Sequence, residues 1–117
     1  MTHAPGQGAA LLQNALNDNL YADLIVQLQK DFSRANVPLA LEGLEANRVI
    51  AAITEKCYVL LMERFEDYLN LMYIIDVPED VFSNMGAGDV VEASKAITGL
   101  ILQREFQKVV LKRKYRT

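Results

Sequence analysis

Carboxylates are the most plentiful potential ligands in this chain. Glu63, Glu66 and Asp67 fall on neighbouring turns of one helical stretch, and Asp76, Glu79 and Asp80 follow at its end. A di-metal bundle needs inward-facing glutamates completed by histidines from other helices. Glu63-Arg64-Phe65-Glu66 has no such histidine and faces the polar side of its stretch. The segment from Asp76 lacks the alternating oxygen ligands and closing glutamate of a calcium loop. A solvated acidic face and a helix cap are therefore expected, with no metal and no cofactor. His3 is the only histidine and lies in a Pro- and Gly-bearing terminus, which sets aside Ser-His-Asp and Cys-His catalysis. Gly86-Ala87-Gly88 holds two glycines of a phosphate loop and none of its other parts. The helix after it opens with Asp89 and Glu92, carboxylates in the place a phosphate would take. Cys57, the lone cysteine, sits within an apolar stripe and reads as a small buried core residue. Nothing in this inventory supplies a catalytic residue.

Two arginines say more. Arg64 lies between Leu61 and Tyr68 on an apolar face, and Arg104 falls where the stripe of Ile97 and Ile101 continues. A guanidinium in such a place must reach solvent or meet a carboxylate. Asp67, Asp76 and Glu105 are the candidate partners, either in a buried polar contact or in fixing the register of a helix interface. The tail is a third signal. Lys108, Lys112, Arg113, Lys114 and Arg116 are five of the 12 cations, and all 15 acids precede Lys108, so residues 1–107 carry a balance of −8 within a net charge of −3. Such a tail suits nucleic acid or another polyanion. It equally suits the end of a helix dipole and an acidic partner within the molecule.

The elements that must position these groups are helices. Glu45 to Asp76 is free of Pro and Gly, and as one helix it would run about 48 Å at 1.5 Å per residue. Ala46, Val49, Ile50, Ile53, Cys57, Leu60, Leu61, Tyr68, Leu71, Met72 and Ile75 share a broad apolar stripe on it. Tyr58, Met62, Phe65 and Leu69 form a second stripe beside the first. A helix apolar over so much of its circumference is covered on two sides, by its own chain or by a second copy. Before it, Leu20, Tyr21, Leu24, Ile25, Leu28, Phe32 and Ala35 predict an amphipathic helix from about Asp18 to Ala35, packed on one side, with Asp23, Gln27, Lys30 and Arg34 opposite. Asn17 and Asp18 offer its N-cap. Asn36-Val37-Pro38 ends it, and the central helix begins either near Pro38 or after Gly43. Residues 1–16 read as a flexible segment; Leu11, Leu12 and Leu16 do not continue the following stripe, so Ala9 to Leu16 is a separate turn or a loosely attached helical extension.

Pro78 closes the central helix, and Asp76 with Glu79 has capping-box spacing ahead of a short helix to about Met85. Asp89 with Glu92 repeats that spacing at the start of a last helix to about Arg113. Its stripe shifts from Ile97 and Ile101 towards Phe106, Val109 and Val110. The fold class expected is all-α, an up-down bundle of three long helices plus one short one, with residues 17–117 as a single domain and a basic C-terminal tail. The chain shows no apolar run long enough to cross a bilayer and no basic residue ahead of an apolar run, so a soluble cytoplasmic protein is expected.

Leu71-Met72-Tyr73-Ile74-Ile75-Asp76-Val77-Pro78-Glu79 and Leu102-Gln103-Arg104-Glu105-Phe106-Gln107-Lys108-Val109-Val110 resemble stretches of small uncharacterised helical proteins of bacteria. The resemblance covers the second half of the chain. It implies a bacterial cytoplasmic helical domain and carries over no substrate, cofactor or catalytic residue. The function expected is a non-catalytic interaction or regulatory domain, a homodimer or a protein with another protein partner. Its candidate interface is Tyr58, Met62, Phe65, Leu69, Phe106 and Val110. The alternative is a polyanion binder acting through the tail.

Overall fold

The computed structural model describes residues 4–17, 19–78 and 89–115. Among these are five helices and no strand: α1 (Ala4–Asn17), α2 (Tyr21–Arg34), α3 (Ala46–Glu63), α4 (Phe65–Ile75) and α5 (Val90–Lys114). The chain is all-α. The short helix expected after Pro78 lies outside the described residues.

Helix α5 touches each of the other four, α1 and α3 most extensively. Being enclosed explains its mixed buried face, in which Ile97, Ile101, Leu102 and Val109 are joined by Ser94, Thr98 and Glu105. Ser94 and Thr98 satisfy their hydroxyls on their own helix, donating to the carbonyls of Val90 and Ser94 at 2.8 Å each. The hydroxyl of Thr98 lies 2.9 Å from that of Thr54 on α3, so small polar side chains set the approach of these two helices. Asp89 caps α5 as its spacing implies, accepting from the backbone N–H groups of Val91 and Glu92.

Residues 1–16 were expected to be a flexible segment, with Ala9 to Leu16 a separate turn or a loosely attached helical extension, and the described part is helical. Residues 4–17 form α1, and its Leu12 and Ala15 are fully buried. An apolar pair is enough to hold the helix because α5 supplies the surface it packs on. Asn19, at φ 61°, turns the chain, and the Leu20 N–H bonds back to the Ala15 carbonyl at 2.7 Å. Leu20 stands at the N-cap of α2 and makes no side-chain cap hydrogen bond.

Helix α2 buries the predicted Leu24, Ile25, Leu28 and Phe32, and it ends as expected at Ala35. Asn36 takes a left-handed φ of 65°, and the Val37 N–H reaches the Phe32 carbonyl at 3.0 Å. The connection to α3 is irregular but tied down. Gln29 accepts from the Leu41 and Glu42 N–H groups at 2.6 and 3.0 Å, and the Tyr21 hydroxyl donates to the Leu44 carbonyl at 3.0 Å. Gly43, at φ +82°, supplies a conformation that side chains disfavour, which places the start of α3 after it.

The stretch from Glu45 to Asp76 is two helices, not one. Arg64, at φ −142° and ψ 60°, separates α3 from α4. Backbone hydrogen bonds run up to the break and on from it, Arg64 N–H to Leu60 carbonyl at 2.9 Å and Tyr68 N–H to Arg64 carbonyl at 3.1 Å, so it is a kink. An unbroken helix of about 48 Å would exceed the molecule's longest dimension of 43 Å. It would also carry the Arg64 guanidinium along the buried face between Leu60 and Tyr68. The kink lets both segments bury their stripes, Val49, Ile53, Cys57 and Leu60 on α3 and Tyr68, Leu71, Met72 and Ile75 on α4, while Arg64 stays half exposed.

Since Leu12 is enclosed, Leu12→Ala is expected to lower stability in urea unfolding by about 2–4 kcal/mol within a single cooperative transition. A shift near zero would mean that α1 lies outside the cooperative core.

Candidate functional site

The two arginines find the predicted carboxylates, at the surface instead of in the interior. Arg64 pairs with Asp67 at 2.6 Å, the two side chains 50% and 34% exposed. Arg104 pairs with Asp76 at 2.9 Å and reaches Gln107 at 3.2 Å. Asp76 does not open a helix: it ends α4 at φ 74°, and its carboxylate is spent on Arg104. These pairs are partly solvated, so each contributes about 0–1 kcal/mol.

The buried ionic group lies elsewhere, on the seam between α2 and α5. Asp31 and Glu105 are both fully buried. The Lys108 ammonium sits between them, 2.8 Å from Asp31 Oδ2 and 3.1 Å from Glu105 Oε1. Gln27, also buried, donates to Asp31 at 3.0 Å and accepts from Lys112. Arg34 also reaches Asp31, 3.5 Å from its Oδ1, so Asp31 meets two cations while Lys108 is the cation beside Glu105. Burial, with the hydrogen bond and charge of Asp31 behind it, pushes Glu105 up to about 8 against the pull of Lys108. Burial also opposes ionisation of Asp31, but hydrogen bonds from Lys108, Glu105 and Gln27 hold its carboxyl below the ordinary value. Of the two buried carboxyls, Glu105 is therefore the one that favours its proton and Asp31 the one that favours its charge. The arrangement fastens helices together and presents no open face to a substrate.

This seam consumes most of the basic tail. Lys108 and Lys112 are engaged as above, and Arg113 reaches Asp23 and the Asn19 carbonyl at 3.4 Å each. Lys114 lies 5.8 Å over the Tyr115 ring, and Arg116 is outside the described residues. The helix runs on through the β-branched Val109-Val110 because these contacts hold it. Helix α2 is consequently packed on two sides, with Gln27 and Asp31 covered by α5. Composition concealed this, but the columns Gln27/Asp31 and Glu105/Lys108/Lys112, at helical spacings of three and four, were the available signal.

The candidate interface residues lie largely outside the core. Tyr58, Met62, Phe65 and Leu69 are 39%, 55%, 43% and 43% exposed, and Tyr73, one turn on, is 83% exposed. Phe65 stacks on buried Tyr68 at 5.6 Å between ring centroids. Phe106 is half-buried against the core, and Val110 is exposed on α5, apart from the α3–α4 strip in sequence. Tyr58 also borders a groove of about 780 Å³ between α3 and α5, floored by Ala51, Thr54, Ser94, Thr98 and Gly99. At the far end, Leu69 and Tyr73 border a hollow of about 330 Å³ with Asp76 and Pro78.

Cys57 is fully buried, as its stripe implied, and burial pushes its thiol up to about 12. No group of three or more His, Cys, Asp or Glu suited to a metal ion occurs among the described residues. No helix among them is long and apolar enough to cross a membrane. Comparison with known proteins finds no matching family model, curated protein or solved structure.

The ionic seam makes stability depend on pH in a defined direction. Glu105, raised when folded, contributes stability that is complete below its unfolded value of 4.5 and lost as pH rises through about 8. Asp31, lowered when folded, contributes stability present above 3.8 and lost as pH falls through its folded value. Glu105→Gln is expected to flatten the alkaline limb of stability against pH and to stabilise the protein at pH 8 by about 2–3 kcal/mol. Asp31→Asn leaves Glu105 as the carboxylate beside Lys108, so Glu105 is expected to ionise at lower pH and the alkaline limb of stability to shrink. Urea unfolding across pH 4–9 measures both, and parallel curves for wild type and Glu105→Gln would refute the assignment.

Proposed function

We propose that this chain is a non-catalytic helical interaction module that associates with a second copy of itself through the outer face of α3 and α4. The observation that carries the reading is the exposed row of Tyr58, Met62, Phe65, Leu69 and Tyr73, five large apolar side chains at successive helical spacings across the kink. Scattered exposed apolar residues are ordinary, but a contiguous row that continues into a groove is the usual mark of an interface. Two tyrosines and a phenylalanine among them are the residue types that anchor such contacts. The reading keeps the up-down order for the long helices. It also assigns the basic tail a role within the molecule, since three of its cations are already held by α2 and its approach.

Light scattering across a concentration series is expected to give a molar mass above the 13.1 kDa of one chain. Phe65→Ala is expected to weaken association by about 2–4 kcal/mol. Leu69→Asp is expected to give monomer with an unchanged Tm, because its side chain lies outside the core. A wild-type protein that stays monomeric throughout would refute the proposal.

A further inference from the structure

The occupant of the strip can be read from charge, taking the strip to be an interface as proposed above. Glu55, Glu63 and Glu66 stand beside it, all exposed, and none takes part in an ion pair among the described residues. The one arginine nearby, Arg64, is already paired with Asp67. Two such strips laid face to face would bring Glu63 and Glu66 of each copy towards those of the other. Like charges juxtaposed across an interface oppose association. The surface that fits must be apolar and basic.

The chain carries such a surface at the end of α5. Lys108, Lys112 and Arg113 point into the seam with α2, which turns the opposite side of the same turns outward. On that side Val110, Leu111 and Tyr115 are 39%, 47% and 76% exposed, and Lys114, also exposed, has no carboxylate partner among the described residues. The result is a short apolar face with a free cation, rigidly presented because the seam anchors the helix that bears it. We infer that the acidic-edged strip of α3 and α4 receives the outward face of the α5 C-terminal turn from a second copy of this chain. Lys114 then meets Glu63 and Glu66, and Leu111 and Tyr115 lie on Leu69 and Tyr73. Two copies can exchange these contacts reciprocally, which closes a dimer with two identical docking sites.

The test uses the full-length chain in two forms. Glu63→Lys with Glu66→Lys alters only the strip, and Leu111→Ser with Lys114→Glu alters only the tail; all four positions are exposed, so helicity by circular dichroism is expected to be unchanged. Each double variant alone is expected to self-associate at least about tenfold more weakly than wild type. Mixed in equal amounts they are expected to recover association, since the intact tail of the first meets the intact strip of the second. A misfolded variant could not be rescued in this way. Wild-type association is expected to weaken with added salt, which screens exposed charges. If the tail variant associates as strongly as wild type while the strip variant does not, the tail is not the occupant and this inference falls, although the proposed function stands. A failure of the mixture to recover overturns it as well. Wild type that is monomeric at every concentration overturns both.

Discussion

A carboxylate taken out of water must be met by a cation or a proton, and the seam between α2 and α5 uses both. Asp31 keeps its charge because Lys108, Arg34 and Gln27 stabilise it, and Glu105 favours its proton because it is buried beside that charge. Much of the molecule follows from that solution. The last turns of α5 would otherwise project beyond the core with little apolar surface to hold them, since among the described residues Val109 is the only buried one after Glu105. The ammonium groups of Lys108 and Lys112 fix those turns against α2, and the fixing determines which side of α5 faces outward. A tail that composition presents as a loose cationic arm is a structural strut.

Enclosure of α5 by four neighbours has a second consequence. A helix that meets four neighbours buries more than one face and cannot show a simple amphipathic pattern, and α5 does not: Ser94, Thr98 and Glu105 are buried like Ile101. Hydroxyls manage this by turning back on their own carbonyls, while the carboxyl needs a partner on another helix. Where α5 meets α3, small residues bring the helices close and leave a groove at the surface. Where it meets α2, long polar side chains span the gap. The same helix thus makes two kinds of contact along its length, and the shift of its apolar stripe past Leu102 marks the change.

The sequence was most legible where one physical rule acted alone. Leu24, Leu28 and Phe32 recur at the helical period with one neighbour to satisfy, and Asp89 precedes a helix with no competing partner, so both were readable. Arg64 was readable as an anomaly, a cation on an apolar face paired with Asp67, yet the kink it occupies was not, because neither Gly nor Pro marks the site. The kink answers a tertiary demand, the fit of two stripes into a molecule shorter than the unbroken helix. Helix α1 failed for a related reason: Leu12 and Ala15 are too few to declare a face until α5 is there to receive them. Asp31 was passed over because a single acid beside Phe32 looks like surface, and only the matching column on α5 gives it a partner. The strip of Tyr58, Met62 and Leu69 was separable from the core stripe by helical angle alone, but spacing does not say whether the chain itself covers it, and its exposure had to come from the fold.

Cys57 illustrates how a silent residue becomes informative. It is enclosed in the core on α3, facing Thr98 of α5, and its thiol holds its proton at any ordinary pH. Alkylating reagents attack the thiolate, so the native molecule presents them with nothing to react with. Only an excursion that opens the core admits water and reagent together. With no other thiol in the chain, the rate of label uptake is a clock for that excursion, read at natural abundance and without an introduced probe. The protein carries its own gauge of how often its centre comes open.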